Sequence, residues 1–199
     1  MQIQYIRADK LDFDPRPQMG MVFAEGFSHY FHALSSDMSL WARVLSHPFD
    51  LQYFYVAVQG DKVMAMAACT DGISPIKFDK AICSQVFGFL RGRIAFHQLT
   101  KHLANHTFPF EFRAGMGRIE LVATASASRG QGLAKHLLSY IIENTSYQEY
   151  VLEVVDDNTS AIKLYEKCGF EVVQKVQMPR AMRSKINAFL YMKHTKQTP

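Results

Sequence analysis

The stretch from residue 117 to 155 constrains the fold of this chain most. Ile119-Glu120-Leu121-Val122-Ala123 lies in an apolar strand predicted over residues 117–125. A loop of small residues follows, Thr124-Ala125-Ser126-Ala127-Ser128, and Arg129-Gly130-Gln131-Gly132 opens a helix reaching about Asn144. Residues 150–155 are again an apolar strand. Strand, helix and strand of this length suit a right-handed parallel crossover. The turn between the first two has chemistry of its own. Unpaired N–H groups at a helix start, with the helix dipole behind them, attract anions. Gly130 and Gly132 allow close backbone approach to a phosphate, Ala134 keeps the first turn narrow, and Arg129 adds a guanidinium fork. No Gly-Lys-Ser/Thr follows, so this is not a Walker A loop, and the third glycine of the dinucleotide fingerprint is missing. By itself, a tight strand-to-helix connection explains the turn as well as a phosphate site does.

The remaining elements frame this unit. Residues 2–7 read as a short strand. Apolar residues at helical spacing (Met21, Val22, Phe27, Phe31, Leu34) predict a helix from Gln18 to about Leu34. Ser36 or Asp37 caps a second helix through Leu45. Residues 51–59 and 62–70, separated by Gly60-Asp61, read as a β-hairpin. Ser74-Pro75 resembles a cap with a first-turn proline, and a single helix is predicted from Ile82 to about His106, loosened by Gly88 and Gly92. Asp157 or Asn158 caps a helix through Lys167, Gly169 ends it, and strands close the chain at 170–178 and 188–193.

A second motif gives the glycine turn its context: Asn158-Thr159-Ser160-Ala161-Ile162-Lys163-Leu164-Tyr165-Glu166-Lys167-Cys168-Gly169-Phe170. Together the two segments resemble the GNAT superfamily of N-acetyltransferases. Arg129, Gly132 and Ala134 fit the family's Arg/Gln-x-x-Gly-x-Gly/Ala pattern. Asn158, Ala161, Leu164, Tyr165, Gly169 and Phe170 fit its second, Asn-x-x-Ala-x-x-Leu-Tyr-x-x-x-Gly-Phe. The resemblance is clear from about residue 118 to 173. It implies one mixed α/β acyltransferase domain over residues 1–199, a central sheet of six to seven strands flanked by helices, and two splayed parallel strands at its centre. It also implies an acetyl-CoA-dependent N-acetyltransferase acting on a primary amine of a small molecule or peptide.

In that reading the main chain of Val122, Ala123 and Thr124 meets the pantetheine arm. The amides of Arg129, Gly130, Gln131, Gly132, Leu133 and Ala134 hold the pyrophosphate. Asn158 contacts the pantetheine region, although capping alone also explains it. Tyr165 matches the tyrosine that protonates the departing sulfur; its alternative role is that of a packed helix aromatic. The N–H of Val122 or a neighbour is the oxyanion donor. Glu120, assigned by strand alternation to the side of Val122 and Thr124, is the candidate general base. It also fits a rim carboxylate that binds a cationic amine, or a plain surface residue. A non-catalytic acyl-CoA-binding or sensing module of the same fold is the competing reading.

Composition narrows the partners. Hydrophobic residues are 48% and charged residues 20%, so the chain can bury a core without metals or disulfides. No apolar run approaches the ~20 residues of a membrane span, the first residues lack a signal-peptide pattern, and three cysteines cannot all pair, which together suggest a cytoplasmic protein. A net charge of +4 argues only weakly for nucleic acid, although Lys175, Arg180, Arg183, Lys185, Lys193 and Lys196 follow the last acidic residue, Glu171. No metal is expected: His97, His102 and His106 lack a completing carboxylate on their helix. His29 and His32 are candidates to touch an acceptor. Cys168 reads as a packed thiol, and Met19, Met21, Met38, Met64 and Met66 as core or pocket filler. Residues 71–116 exceed a compact acyltransferase plan. They are the candidate insertion for acceptor specificity or a homodimer contact.

Overall fold

A computed structural model describes residues 2–27, 35, 37–104, 108–178 and 187–196. The strands β1 (Gln4–Arg7), β2 (Phe54–Gln59), β3 (Lys62–Thr70), β4 (Met116–Thr124), β5 (Glu149–Val155), β6 (Glu171–Gln177) and β7 (Ala188–Thr195) build one sheet. Its order is β1-β2-β3-β4-β5-β7-β6. β4 and β5 are parallel, and the other neighbours are antiparallel.

Helices cover both faces. On the first lie α1 (Arg16–Gly26), α2 (Met38–Leu45), α3 (Lys80–Phe87) and α4 (Phe89–Leu99), sharing a core with Phe23, Trp41, Phe49, Phe54 and Met66. On the second lie α5 (Leu133–Asn144) and α6 (Thr159–Lys167), around Leu137, Leu138, Ile141, Leu152 and Phe170. Alternation along the strands divides the side chains between these two cores.

Local signals produced most boundaries. Asp37 caps α2 by accepting from Ser39 N–H at 2.9 Å. α1 begins at Arg16, just after Pro15, and its described part ends at Gly26. The predicted continuation over residues 28–34, with His29 and His32, lies outside the described residues, as does His106. Met19 and Met66 are fully buried, but Met21 is 56% exposed, so not every methionine fills the core.

Residues 71–116 depart from expectation twice. Ser74 does not cap a helix; its hydroxyl accepts weakly from Ile76 N–H in a loop, and Asp79 caps α3 through Ala81 N–H at 2.6 Å. The single helix predicted from Ile82 is broken in two. Gly88 takes φ +81°, outside the helical region, and the chain turns there. Gly92 then packs against the preceding helix so closely that a Cβ would stand 2.4 Å from Ser84 Cα. The two glycines that seemed to loosen one helix instead make a helical hairpin.

Candidate active site

β4 and β5 pair over only three rungs: Met116 with Glu149, Gly117 with Tyr150, and Arg118 with Val151. β4 stays paired with β3 as far as Thr124, and β5 with β7 as far as Val155. The sheet therefore opens in its middle as a fork. Beyond the last rung, the inner backbone groups of each arm lack a ladder partner on the other and can bond a ligand.

A β-bulge shapes one arm. Ala68 faces Glu120, but Met66 faces Ala123, so Leu121 and Val122 both occupy the place opposite Ala67. Leu121 holds φ +56°, a left-handed conformation costing about 1–2 kcal/mol for a residue with a side chain. The inserted residue reverses alternation. Glu120 shares the first face with Met66, Ala68 and Ala123, while Val122 and Thr124 turn to the second. The expectation that Glu120, Val122 and Thr124 share one side therefore fails, because it assumed an unbroken two-residue period.

Glu120 is the second residue past the last rung on its arm. Arg118 Nε donates to its Oε1 at 2.7 Å. Arg118 is itself buried, donates to Ile73 O at 3.2 Å, and lies 5.6 Å from the centre of the Phe108 ring. Burial pushes the Glu120 carboxyl up to about 7; the Arg118 charge opposes the rise and the Glu153 charge adds to it. Glu153 is the second residue past the rung on β5, on the same face. It pairs across the ladder with Tyr191, and burial and the hydrogen bond to Glu153 raise that phenol's pKa. The Tyr191 ring meets Phe108 and Phe110 at 5.3 and 5.8 Å. Arg118, Glu153, Tyr191 and Phe108 escaped the sequence reading. A lone glutamate inside the otherwise apolar strand 150–155 was the available signal.

At its outer end β4 runs into a single turn, Ser126–Ser128. Ser126 N–H donates to Glu25 Oε2 at 2.8 Å, tying the loop to α1. Gly130 and Gly132 sit at φ +78° and +75°. A Cβ at Gly130 would meet nothing within 4 Å, and one at Gly132 only His136 at 3.7 Å. Conformation rather than crowding demands glycine here. Gly132 is the N-cap of α5 and supplies no side-chain cap. His136 N–H is bonded to Gly132 O at 3.1 Å, and the N–H groups of Leu133, Ala134 and Lys135 before it lack intrahelical acceptors. Arg129 Nε reaches Thr124 O at 3.4 Å.

On the second face, Asn158 Oδ1 caps α6, accepting from Ala161 N–H and Ser160 Oγ–H, both at 3.1 Å. Tyr165 is buried in the core that contains Leu133, Leu152 and Val154, and desolvation holds its phenol strongly protonated.

Residues 21–170, about three quarters of the chain, match the acetyltransferase (GNAT) family. The chain belongs to that family. Solved structures resemble it over nearly its whole length. A protein from Pyrococcus horikoshii OT3 is 17% identical, with a TM-score of 0.60 and coverage of 99% of this chain and 100% of that one. The ribosomal-protein-S18-alanine N-acetyltransferase from Escherichia coli is 14% identical, with a TM-score of 0.57 and coverage of 100% and 96%. These likenesses show the fold. An uncharacterized Mycobacterium leprae protein is 36% identical over 66 residues, which span 33% of this chain and only 17% of that protein.

The GNAT family uses acetyl-CoA, and the residues present fit that molecule. An open fork suits an amide-bearing arm, and an uncapped, glycine-entered helix start suits a pyrophosphate. The other candidates have structural employment. Burial raises the Cys69 thiol to about 12 and the Cys83 thiol to about 11, so neither is a ready nucleophile. Lys175 pairs with Asp156 and Lys193 with Glu149, while Lys196 donates to Thr145 O. Among the described residues, no group of three or more His, Cys, Asp or Glu could hold a metal, and no helix is long and apolar enough to cross a membrane.

Proposed function

We propose that this GNAT chain moves an acetyl group from acetyl-CoA to a primary amine of a small molecule or peptide by direct attack. One observation carries the reading: the fork between β4 and β5 has an uncapped helix start at its outer end and a carboxylate of near-neutral pKa at its apex. Acetyl-CoA supplies the acetyl group activated as a thioester. The amides from Arg129 to Ala134 hold its pyrophosphate, with the Arg129 guanidinium beside them. The main chain of Val122, Ala123 and Thr124 bonds the pantetheine arm, and the Val122 N–H stabilises developing oxyanion charge. Asn158 contacts the same arm while capping α6.

Glu120 takes a proton from the amine. A carboxylate near pKa 7 is half ionised at neutral pH and is a stronger base than an ordinary one. Arg118 acts through Glu120 by orienting its carboxylate. Tyr165 stands on the opposite face of the sheet from Glu120 and stays protonated, so it can donate to the departing sulfur. Amine entry from one face and thiol departure toward the other keep the two proton transfers apart.

The test is thiol release from acetyl-CoA over a panel of primary amines. At least one amine should be turned over, with Tyr165→Phe much slower. Coenzyme A binding without turnover of any amine would instead mark an acyl-CoA-binding or sensing module.

A further inference from the structure

We infer that Glu25, near the end of α1, is a positioning residue for the pyrophosphate of acetyl-CoA, acting through the turn that leads into α5; this rests on the cofactor site proposed above. The tether lies where the β3 ladder ends. β3 holds the outer end of β4 through the pairs Met66 with Ala123 and Ala65 with Thr124, and Ala125 N–H donates to Met64 O at 2.9 Å. The next backbone bonds are local: Ser128 N–H returns to Ala125 O at 2.8 Å and Arg129 N–H to Ser126 O at 3.4 Å. Glu25 meets the chain between them. Its Oε2 accepts from Ser126 N–H at 2.8 Å, from 101 residues away. Beside it, Gly26 seats α1 on β4, since a Cβ there would stand 3.2 Å from Ala123 Cβ. The end of α1 therefore grips the step from strand to turn on both sides. The amides proposed for the pyrophosphate begin at Arg129, three residues past Ser126, so their direction follows from the direction of this turn.

Glu25 also stands against local preference. It occupies the last turn of α1, where the helix dipole presents its negative end and a carboxylate is disfavoured. Glutamine or alanine would suit the position as well or better on local grounds. Glu25 is exposed, so burial does not hold it there. A residue that breaks a local rule points to a tertiary need. The bond to Ser126 supplies one, because the first N–H of a short helical turn is a donor that the turn itself leaves over. A carboxylate makes the stronger, charge-assisted form of this bond. The tether works by accepting that hydrogen bond and not by its charge, since an anionic ligand gains nothing from a carboxylate near by. An amide oxygen at the same place can therefore stand in for it.

The experiment titrates coenzyme A into the wild type, Glu25→Ala and Glu25→Gln by calorimetry, and runs thiol-release assays with acetyl-CoA in parallel. Glu25→Ala should weaken coenzyme A about fivefold to tenfold, the worth of one exposed hydrogen bond. Glu25→Gln should stay within about threefold of the wild type, because its amide oxygen still accepts from Ser126. In Glu25→Ala the KM for acetyl-CoA should rise with the Kd, while kcat stays within about twofold. The loss should be confined to donors that carry a pyrophosphate, so S-acetylpantetheine should not distinguish Glu25→Ala from the wild type. Thermal melts confirm that both variants are folded. Unchanged coenzyme A affinity in Glu25→Ala, equal weakening by both variants, or an equal loss with S-acetylpantetheine overturns the inference. If Glu25→Ala weakens coenzyme A as described and no amine is acetylated, the positioning role stands and the transferase reading falls. If amines are acetylated while Glu25→Ala binds coenzyme A as the wild type does, the transferase reading stands and this inference falls. A wild type that does not bind coenzyme A overturns both.

Discussion

Glu120 and Ala123 share one face of β4 although they are three residues apart, because Leu121 takes φ +56° between them. That single left-handed residue turns the side chains of Glu120 and Val122 to opposite faces of the sheet. Glu120 takes the first face, with Met66 and Ala68, while Val122 and Thr124 take the second. Activity should follow this placement.

The rate should depend on one ionisation near pH 7. Below about pH 7 the Glu120 carboxyl is protonated and cannot accept a proton, so kcat/KM should fall about tenfold per pH unit. Glu120→Gln should abolish this limb together with most of the rate. Arg118 holds the Glu120 pKa down, so Arg118→Gln should shift the acid limb to higher pH. A pH–rate profile of each variant reads the shift directly, and a limb that stays in place in Glu120→Gln would assign it to another group.

Tyr165→Phe should keep the fold and lose the proton donor. The ring fills the same core space, so the melting temperature should barely change. The maximal rate should fall about 100-fold, the lower range for a general acid. Acetyl-CoA affinity, measured by calorimetry, should stay close to wild type. A thiol acceptor analogue is unnecessary; steady-state thiol release suffices.

Gly132→Ala should weaken coenzyme A binding. The space is open, but φ +75° costs a residue with a Cβ about 1–2 kcal/mol. The turn escapes that cost by leaving its left-handed conformation, which misdirects the Leu133, Ala134 and Lys135 amides. A Kd raised about tenfold is expected by calorimetry.

The helical hairpin offers a stability test. Gly92→Ala places a Cβ 2.4 Å from Ser84 Cα and should cost about 1–3 kcal/mol through forced separation of α3 and α4. Gly88→Ala meets nothing within 4 Å and carries only the cost of φ +81°, about 1–2 kcal/mol. Chemical denaturation should rank Gly92→Ala as the more damaging. Neither change should alter the KM for acetyl-CoA, since Gly88 lies between α3 and α4 and Gly92 on α4, away from β4 and the start of α5.

The amino-acid sequence by itself determined the features that depend on neighbours in the chain. Asp37 and Asn158 cap their helices because a short polar side chain reaches an amide two or three residues on. Gly130 and Gly132 announce the turn before α5 because left-handed backbone favours glycine. The motif containing Tyr165 carried the family for the same local reason. Tertiary structure alone decided what depends on partners distant in the chain. The bulge at Leu121 exists only against Ala67, so alternation could not reveal which face Glu120 takes. Gly92 reads as a weak helix position until the packing of α4 on Cys83 and Ser84 makes it obligatory. Glu153 looked like an interruption of an apolar strand. It becomes part of a site only when the parallel rung between Arg118 and Val151 puts it across the fork from Glu120, and when the antiparallel ladder puts Tyr191 beside it. Hydrogen-bond register between strands, which no local pattern encodes, made that final choice.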